Sequence, residues 1–422
     1  MTKSESYTKE IRRLKEISRA YDIKLNIKTD NNNEYKDVHE KIIYLRRKII
    51  QREFFSSIDR MKSPEFLEGK DTSVSYFSYE RSYTPYTIEN LLENTFHTKY
   101  TSAFVTRSGL SSINLALGVV FYFLYSKTMN FVSYYNYFET TDLINHFSHL
   151  GLIRNYTNTN FKEFLHLIIK YDADIIFIEN PLAIPKYDNF NEKMLINTLK
   201  RLNKNKFRIV IFDSTLGGPL KSLENILKEL PDNFLLINIA SGLKFYNLGF
   251  ELSNLGLTCI WCKNNNIRRH FKDRLKAERV TSGLSIEAVE EAYLYPIFKN
   301  LNLVEAHYNA ILQNSLMYQR VLFKHNIIKK ISLSPVIVIN NNWTGQQVVE
   351  IVHDIHDKLK KIGLELSTGA SLGFHLTRMQ DIHSNFILEG EKTEHWIRIS
   401  PGSFFSEVDK YIINYFVNAL DK

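Results

Sequence analysis

Cysteine is almost absent: the 422-residue chain has two, Cys259 and Cys262. No second Cys or His pair accompanies them to complete a zinc site. Leu257 to Trp261 reads as a strand, where residues three apart point to opposite faces, so a disulfide or shared metal is disfavoured. Buried, inert thiols are expected. Long apolar runs are also missing. The longest, Leu115 to Tyr125, is too short to cross a bilayer and contains Gly118. The opening Met1-Thr-Lys-Ser-Glu-Ser carries charge and no apolar core of a secretory signal, so a cytoplasmic protein is expected. There is no internal repeat and no low-complexity tract beyond short Asn runs at 31–33, 264–266 and 340–342.

The formal charge is +8, but the excess is dispersed through Arg12-Arg13, Arg46-Arg47-Lys48, Arg268-Arg269 and Lys329-Lys330, with acids interleaved. No nucleic-acid motif accompanies these residues, so neither nucleic acid nor membrane is an expected partner. Anionic small molecules or solvated helix faces account for the charge. His353 and His356 lie at i and i+3 with no third ligand in sight and read as a solvated face, so no metal is expected.

What is present is an ordinary globular composition, 44% hydrophobic and 24% charged, with length for two or three domains. Residues 1–65 read as an N-terminal helical extension, with basic amphipathic helices at Ser4 to Ala20 and Val38 to Phe55. From Phe104 to Trp261 short apolar runs alternate with helical periodicity. The runs Phe131 to Tyr134, Asp174 to Ile178, Arg208 to Phe212 and Leu235 to Ile239 are strand candidates. Helix candidates separate them at Thr140 to Leu150, Asn160 to Tyr171, Asn191 to Leu202 and Ser222 to Leu230. That alternation predicts an α/β fold with a mostly parallel sheet, in a large domain spanning 66–290. A smaller α+β domain over 291–422 is expected from a long helical stretch through Phe323. Strand-like pieces follow at Val336 to Ile339, Ile362 to Leu366 and Trp396 to Ile399, then a last helix, Glu407 to Leu420.

Two residues carry the chemistry. Asp213 ends the run Phe207 to Phe212, and Lys244 follows the run Phe234 to Ile239. An acid at one strand end and a lysine after the next is what pyridoxal phosphate chemistry needs. The amine forms a Schiff base with the cofactor, and the carboxylate keeps the pyridine nitrogen protonated so that the ring draws electrons. Ligands in such sheets bind at the carboxyl ends of the strands, where both residues fall.

The polar landmarks, taken in order from about Tyr76 to the C-terminus, resemble the Cys/Met-metabolism family of pyridoxal phosphate enzymes, which includes cystathionine γ-synthase and methionine γ-lyase. Tyr79-Glu-Arg81-Ser-Tyr-Thr-Pro85 is similar to a segment whose Tyr and Arg reach the cofactor phosphate of a neighbouring subunit. Thr106-Arg107-Ser108-Gly109-Leu110 resembles the turn whose backbone N–H groups hold that phosphate at a helix N-terminus. Tyr137-Phe138-Glu139-Thr140 occupies the place of a Tyr that stacks on the pyridine ring and moves protons, with Glu139 placed to face the substrate side chain or to favour the helix dipole. Glu179-Asn180-Pro181 matches the first half of the next motif. The expected Asn falls at Ala183, and the second Pro is displaced to Pro185.

Asp213-Ser214-Thr215 and Ser241-Gly242-Leu243-Lys244 match the strand-end acid and lysine loops, with Thr215 and Ser241 toward the cofactor and Leu243 replacing a phosphate-binding hydroxyl. Ser371-Leu372-Gly373 and Arg398-Ile-Ser400-Pro-Gly402 resemble the family's substrate side, where the Arg clamps the α-carboxylate. The resemblance implies the aspartate-aminotransferase-like fold type I and a homodimer or homotetramer with shared active sites. It further implies β/γ-elimination or γ-replacement on an amino acid, with a carbon or sulfur nucleophile. The departures at Glu139, Ala183 and Leu243 point to a specialised relative. The alternatives are an aminotransferase or decarboxylase of the same fold, or a non-catalytic binding protein.

Overall fold

Apolar runs rich in Ile, Val and Phe form strands that are buried along their length, as a sheet covered by helices requires. The structure, a computed structural model, describes residues 4–25, 33–58, 84–96, 101–124, 128–135, 137–184, 190–369, 371–383 and 394–420. By their contacts the residues form two compact units. One comprises 54–243 and 253–299; the other comprises 1–53, 244–252 and 300–422.

The first unit holds a seven-stranded sheet. Its strands are β1 (Thr101–Thr106), β2 (Met129–Tyr134), β3 (Ile153–Thr157), β4 (Ile175–Glu179), β5 (Arg208–Asp213), β6 (Phe234–Ser241) and β7 (Gly256–Trp261), in the order β1-β7-β6-β5-β4-β2-β3. The five strands β6, β5, β4, β2 and β3 are parallel, whereas β7 runs antiparallel between β6 and β1. All four runs expected as strands form strands. Parallel neighbours need crossovers, supplied by helices Phe138–His149, Phe161–Lys170, Glu192–Leu199 and Glu224–Glu229. Asparagines start several helices. The Asn160, Asn191 and Asn264 side chains accept backbone N–H groups at the first turns of Phe161–Lys170, Glu192–Leu199 and Asn265–Ser282.

Two antiparallel steps through β7 restore the direction of β6 in β1. The carboxyl ends of β1, β2, β4, β5 and β6 therefore all open at one edge of the sheet. Both cysteines of this unit are buried free thiols, and burial pushes each toward the neutral form, Cys259 strongly so.

In the second unit a three-stranded antiparallel sheet has the order β8-β10-β9, with β8 Ile337–Ile339, β9 Arg378–His383 and β10 His395–Ser400. Its apolar core gathers Ile339, Ile397 and Ile399 with Val352 and Ile355 of helix Gly345–Lys361 and Ile412 of helix Glu407–Leu420. The strand expected at Ile362 to Leu366 does not form. Ile362 caps the preceding helix, Gly363 turns the chain at φ +76°, and only an isolated bridge, Ser367 to Arg378, follows. The helical stretch expected after Ser285 is two helices, Ala288–Lys299 and Asn302–Lys324. Among the described residues no helix is long and apolar enough to cross a membrane.

Helices Glu5–Ala20 and Glu34–Ile58 form as expected; the first and residues 34–53 of the other belong to the second unit. The first brings Glu10 and Arg13 into a buried polar cluster with His307, His375 and Ser403. Burial alone would raise the Glu10 carboxyl. The Arg13 guanidinium and the His375 hydrogen bond outweigh it and hold Glu10 down at about 2, against an ordinary value of 4.5. A group that binds its proton more weakly when folded stabilises the fold above its unfolded value, and that contribution is lost as pH falls through the folded one. The stability gap between wild type and Glu10→Gln should therefore be full above pH 4.5 and shrink toward pH 2. Thermal melts of both proteins across that range check it; a constant gap would mean that Glu10 does not titrate in this window.

Candidate active site

The carboxyl edge of the large sheet carries most of the residues singled out by the sequence. Asp213 ends β5 and is buried, with Oδ1 accepting the Thr215 N–H at 3.0 Å. Burial pushes its carboxyl up, against the Thr215 hydrogen bonds that pull it down. Such a carboxylate gains from a cation brought to it, as a protonated ring nitrogen would be. On neighbouring β6, Ile239 is the register partner of Asp213, and Ser241 ends the strand. Thr215 joins the two strand ends a second time, its Oγ1 accepting the Ser241 N–H at 2.9 Å.

After β1 the chain turns through Ser108 into helix Gly109–Leu124. The Ser108 hydroxyl caps this helix, accepting the Ser111 N–H at 3.0 Å. The first-turn N–H groups of Gly109 and Leu110 have no intrahelical carbonyl to reach and are available to an anion. Glycine is required at 109 because a Cβ there would stand 2.9 Å from the Ser241 Cβ and 3.0 Å from its Cα. A turn of bare backbone thus packs onto Ser241, in a cradle that a side chain would fill. Its donors, helix-start N–H groups beside a serine, suit a phosphate.

Tyr137 is half-buried and begins helix Phe138–His149. Its position is set by a residue that sequence reasoning treated only as a landmark. The Glu179 carboxylate at the end of β4 accepts the Tyr137 N–H at 3.1 Å and the Ala183 N–H at 2.7 Å. It ties the loops after two neighbouring strands together. The one available signal was an acid closing the apolar run Ile175 to Ile178. Glu139 is exposed in the first helical turn. Tyr79 and Arg81 lie outside the described residues.

The other candidate residues belong to the second unit. Lys244 lies in the short helix Gly242–Phe245, directly after β6, and its Nζ donates to Ser371 Oγ at 2.9 Å. Gly373, two residues beyond Ser371, has φ +89°, and a Cβ there would fall 1.5 Å from the Lys244 carbonyl oxygen. Only glycine fits. Arg398 is buried on central strand β10, between Ile397 and Ile399 of the core, and strand alternation turns it to the opposite face from both. One terminal nitrogen of its guanidinium donates to Gln380 Oε1 at 2.7 Å, across the strand pair.

No protein-family model and no curated protein matches the sequence. Solved structures do match in three dimensions. Cystathionine gamma synthase from Xanthomonas oryzae pv. oryzae, in complex with cystathionine, is similar with a TM-score of 0.61 and 14% identity, over 99% of this chain and 98% of that one. A methionine gamma lyase from Micromonospora echinospora gives 0.56 and 15%, covering 84% and 91% of the two chains. Histidinol-phosphate aminotransferase from Clostridium acetobutylicum gives 0.54 and 16%, over 88% and 94%. Likeness at this level of identity speaks for architecture: the chain has the α/β fold type I of pyridoxal phosphate enzymes.

Proposed function

We propose that the protein binds pyridoxal 5′-phosphate on Lys244 and catalyses β/γ-elimination or γ-replacement on an amino acid. The observation that carries the reading is the placement of two residues along the chain relative to adjacent parallel strands. Buried Asp213 closes β5, and Lys244, its amine held by Ser371, follows β6. When bound, the cofactor supplies an aldehyde for amines and a ring that withdraws electrons. Gly109 and Leu110 N–H groups, with Ser108, Ser241 and Thr215, would hold its phosphate end, and Asp213 would keep a proton on the pyridine nitrogen.

The chain's own residues would do the following. Lys244 Nζ would be the base that takes the substrate α-proton. Arg398 grips the α-carboxylate bidentately and so fixes which bond at Cα is broken. Tyr137 would stack on the ring and assist proton movement, and Glu139 would face the substrate side chain. By the resemblance of their motif, Tyr79 and Arg81 would serve the phosphate of a neighbouring subunit, which would make a homo-oligomer the active form. Solved relatives in fold support an amino-acid substrate, since the Xanthomonas synthase was crystallised with cystathionine.

The test is borohydride reduction of the protein incubated with pyridoxal phosphate, followed by peptide mapping. The expected label is on Lys244. A label on another lysine, or no cofactor uptake, would overturn the reading. Adding candidate amino acids then separates the reaction classes. A keto acid or a replacement product supports elimination or replacement, whereas a pyridoxamine product or carbon dioxide release would assign an aminotransferase or decarboxylase.

A further inference from the structure

We propose that Arg13, acting through His307, positions the Ser371–Gly373 turn that holds the Lys244 amine, which makes the N-terminal helix a positioning element for the reactive lysine. The inference rests on Lys244 being that lysine. All the residues concerned lie in the second unit.

The turn is locked to Lys244 twice, by the Ser371 hydroxyl that accepts from Nζ and by Gly373 pressed against the Lys244 carbonyl. What holds the turn from behind is His307 of helix Asn302–Lys324, whose Nε2 lies 2.8 Å from the Gly373 carbonyl oxygen. A carbonyl only accepts, so Nε2 carries the proton and donates. Burial keeps this imidazole neutral, with the neighbouring Arg13 charge acting the same way, so Nδ1 is bare. An Arg13 terminal nitrogen is 2.5 Å from that Nδ1 and can only donate. Arg13 therefore selects the one tautomer that can hold Gly373.

Arg13 is itself fixed. Its other terminal nitrogen donates to Glu10 and to Ser403 Oγ at 2.7 Å. Helix Asn302–Lys324 also reaches the lysine segment directly, the Tyr308 ring packing edge-on against Phe245 at 5.0 Å. Arg13, Glu10, His307 and His375 are all buried, so these contacts act without solvent screening. The route runs from the first helix to His307, to Gly373 and to the amine. None of Glu10, Arg13 or His307 belongs to the motifs that suggested the cofactor.

Site-specific lysine labelling of the cofactor-free protein separates positioning from general stability. Reductive methylation with formaldehyde and cyanoborohydride, read by peptide mass mapping, gives the Lys244 rate relative to exposed Lys204. Loss of one hydrogen bond should free the turn, so His307→Leu and Arg13→Lys are expected to raise the relative Lys244 rate about threefold or more. His307→Gln can donate to Gly373 and accept from Arg13, and should keep the wild-type rate. Should His307→Leu not fold, Arg13→Lys and His307→Gln decide between them, with thermal melts confirming that both are folded. Folded variants that label Lys244 like the wild type would overturn the proposal, as would a His307→Gln protein that labels as fast as Arg13→Lys. Because no cofactor is present, failure of the pyridoxal phosphate reading would show in the borohydride experiment and leave this result intact.

Discussion

Asp213→Asn is expected to retain pyridoxal phosphate and to lose activity on the order of a hundredfold or more. The residue is buried at the end of β5 with Thr215 as its described hydrogen-bond partner, and burial alone already disfavours its charge. Pairing with a protonated ring nitrogen would reverse that preference, because an opposite charge in contact favours the ionised form. An amide keeps the shape and the Thr215 N–H contact but cannot hold a proton on the ring, so charge developing at the substrate Cα loses its sink. Steady-state turnover, with cofactor content measured on the same samples, checks this. Turnover near the wild type in a cofactor-replete Asp213→Asn protein would mean that another residue serves the ring.

Arg398→Ala is expected to raise KM for amino-acid substrates by about ten- to a hundredfold, the range corresponding to a charge-assisted hydrogen bond of about 1.5–3 kcal/mol. The visible spectrum of the substrate-free protein should not change. Gln380 accepts from the guanidinium across the strand pair, so on the proposed reading the fork would be held before substrate arrives. Arg398→Lys should recover little, because an ammonium presents no planar pair of donors. An unchanged KM in the alanine variant would place the substrate carboxylate elsewhere.

The large sheet was legible where burial is two-sided. The runs at β2, β4, β5 and β6 are predominantly apolar and almost wholly buried, and they announce themselves. β3 was not legible: Ile-Arg-Asn-Tyr-Thr sits at the sheet edge with only Ile153 buried, so neither an apolar run nor a clean alternation marks it. β9, Arg-Met-Gln-Asp-Ile-His, is hidden for the same reason, Met379 being its one buried residue. Ile362 to Leu366 misled because its apolar residues close a helix and a turn.

For the candidate site, strand ends could be located from sequence, and with them Asp213, Ser241 and Lys244. The support around them could not. Glu179 holds Tyr137 through a backbone N–H, and His307 holds Gly373 through a backbone carbonyl across 66 residues of chain. Contacts to main-chain atoms leave no complementary residue type to find in a single sequence.

The insertion of β7 between β6 and β1 sets an order of events as the chain leaves the ribosome. β1 is made early, but among the described residues its sheet partner is Gly256–Trp261 alone, and its register, Thr101 with Trp261 through Thr106 with Gly256, cannot be established until that segment has emerged. Pairing over so long a loop is slow, and an unpaired strand edge invites other partners in the interval. The Gly109 turn lies against Ser241 only once β7 has bridged β1 and β6. The corner that suits a phosphate is thus among the last parts of the sheet to mature, and a nascent chain shorter than Trp261 should be unable to retain an anion there.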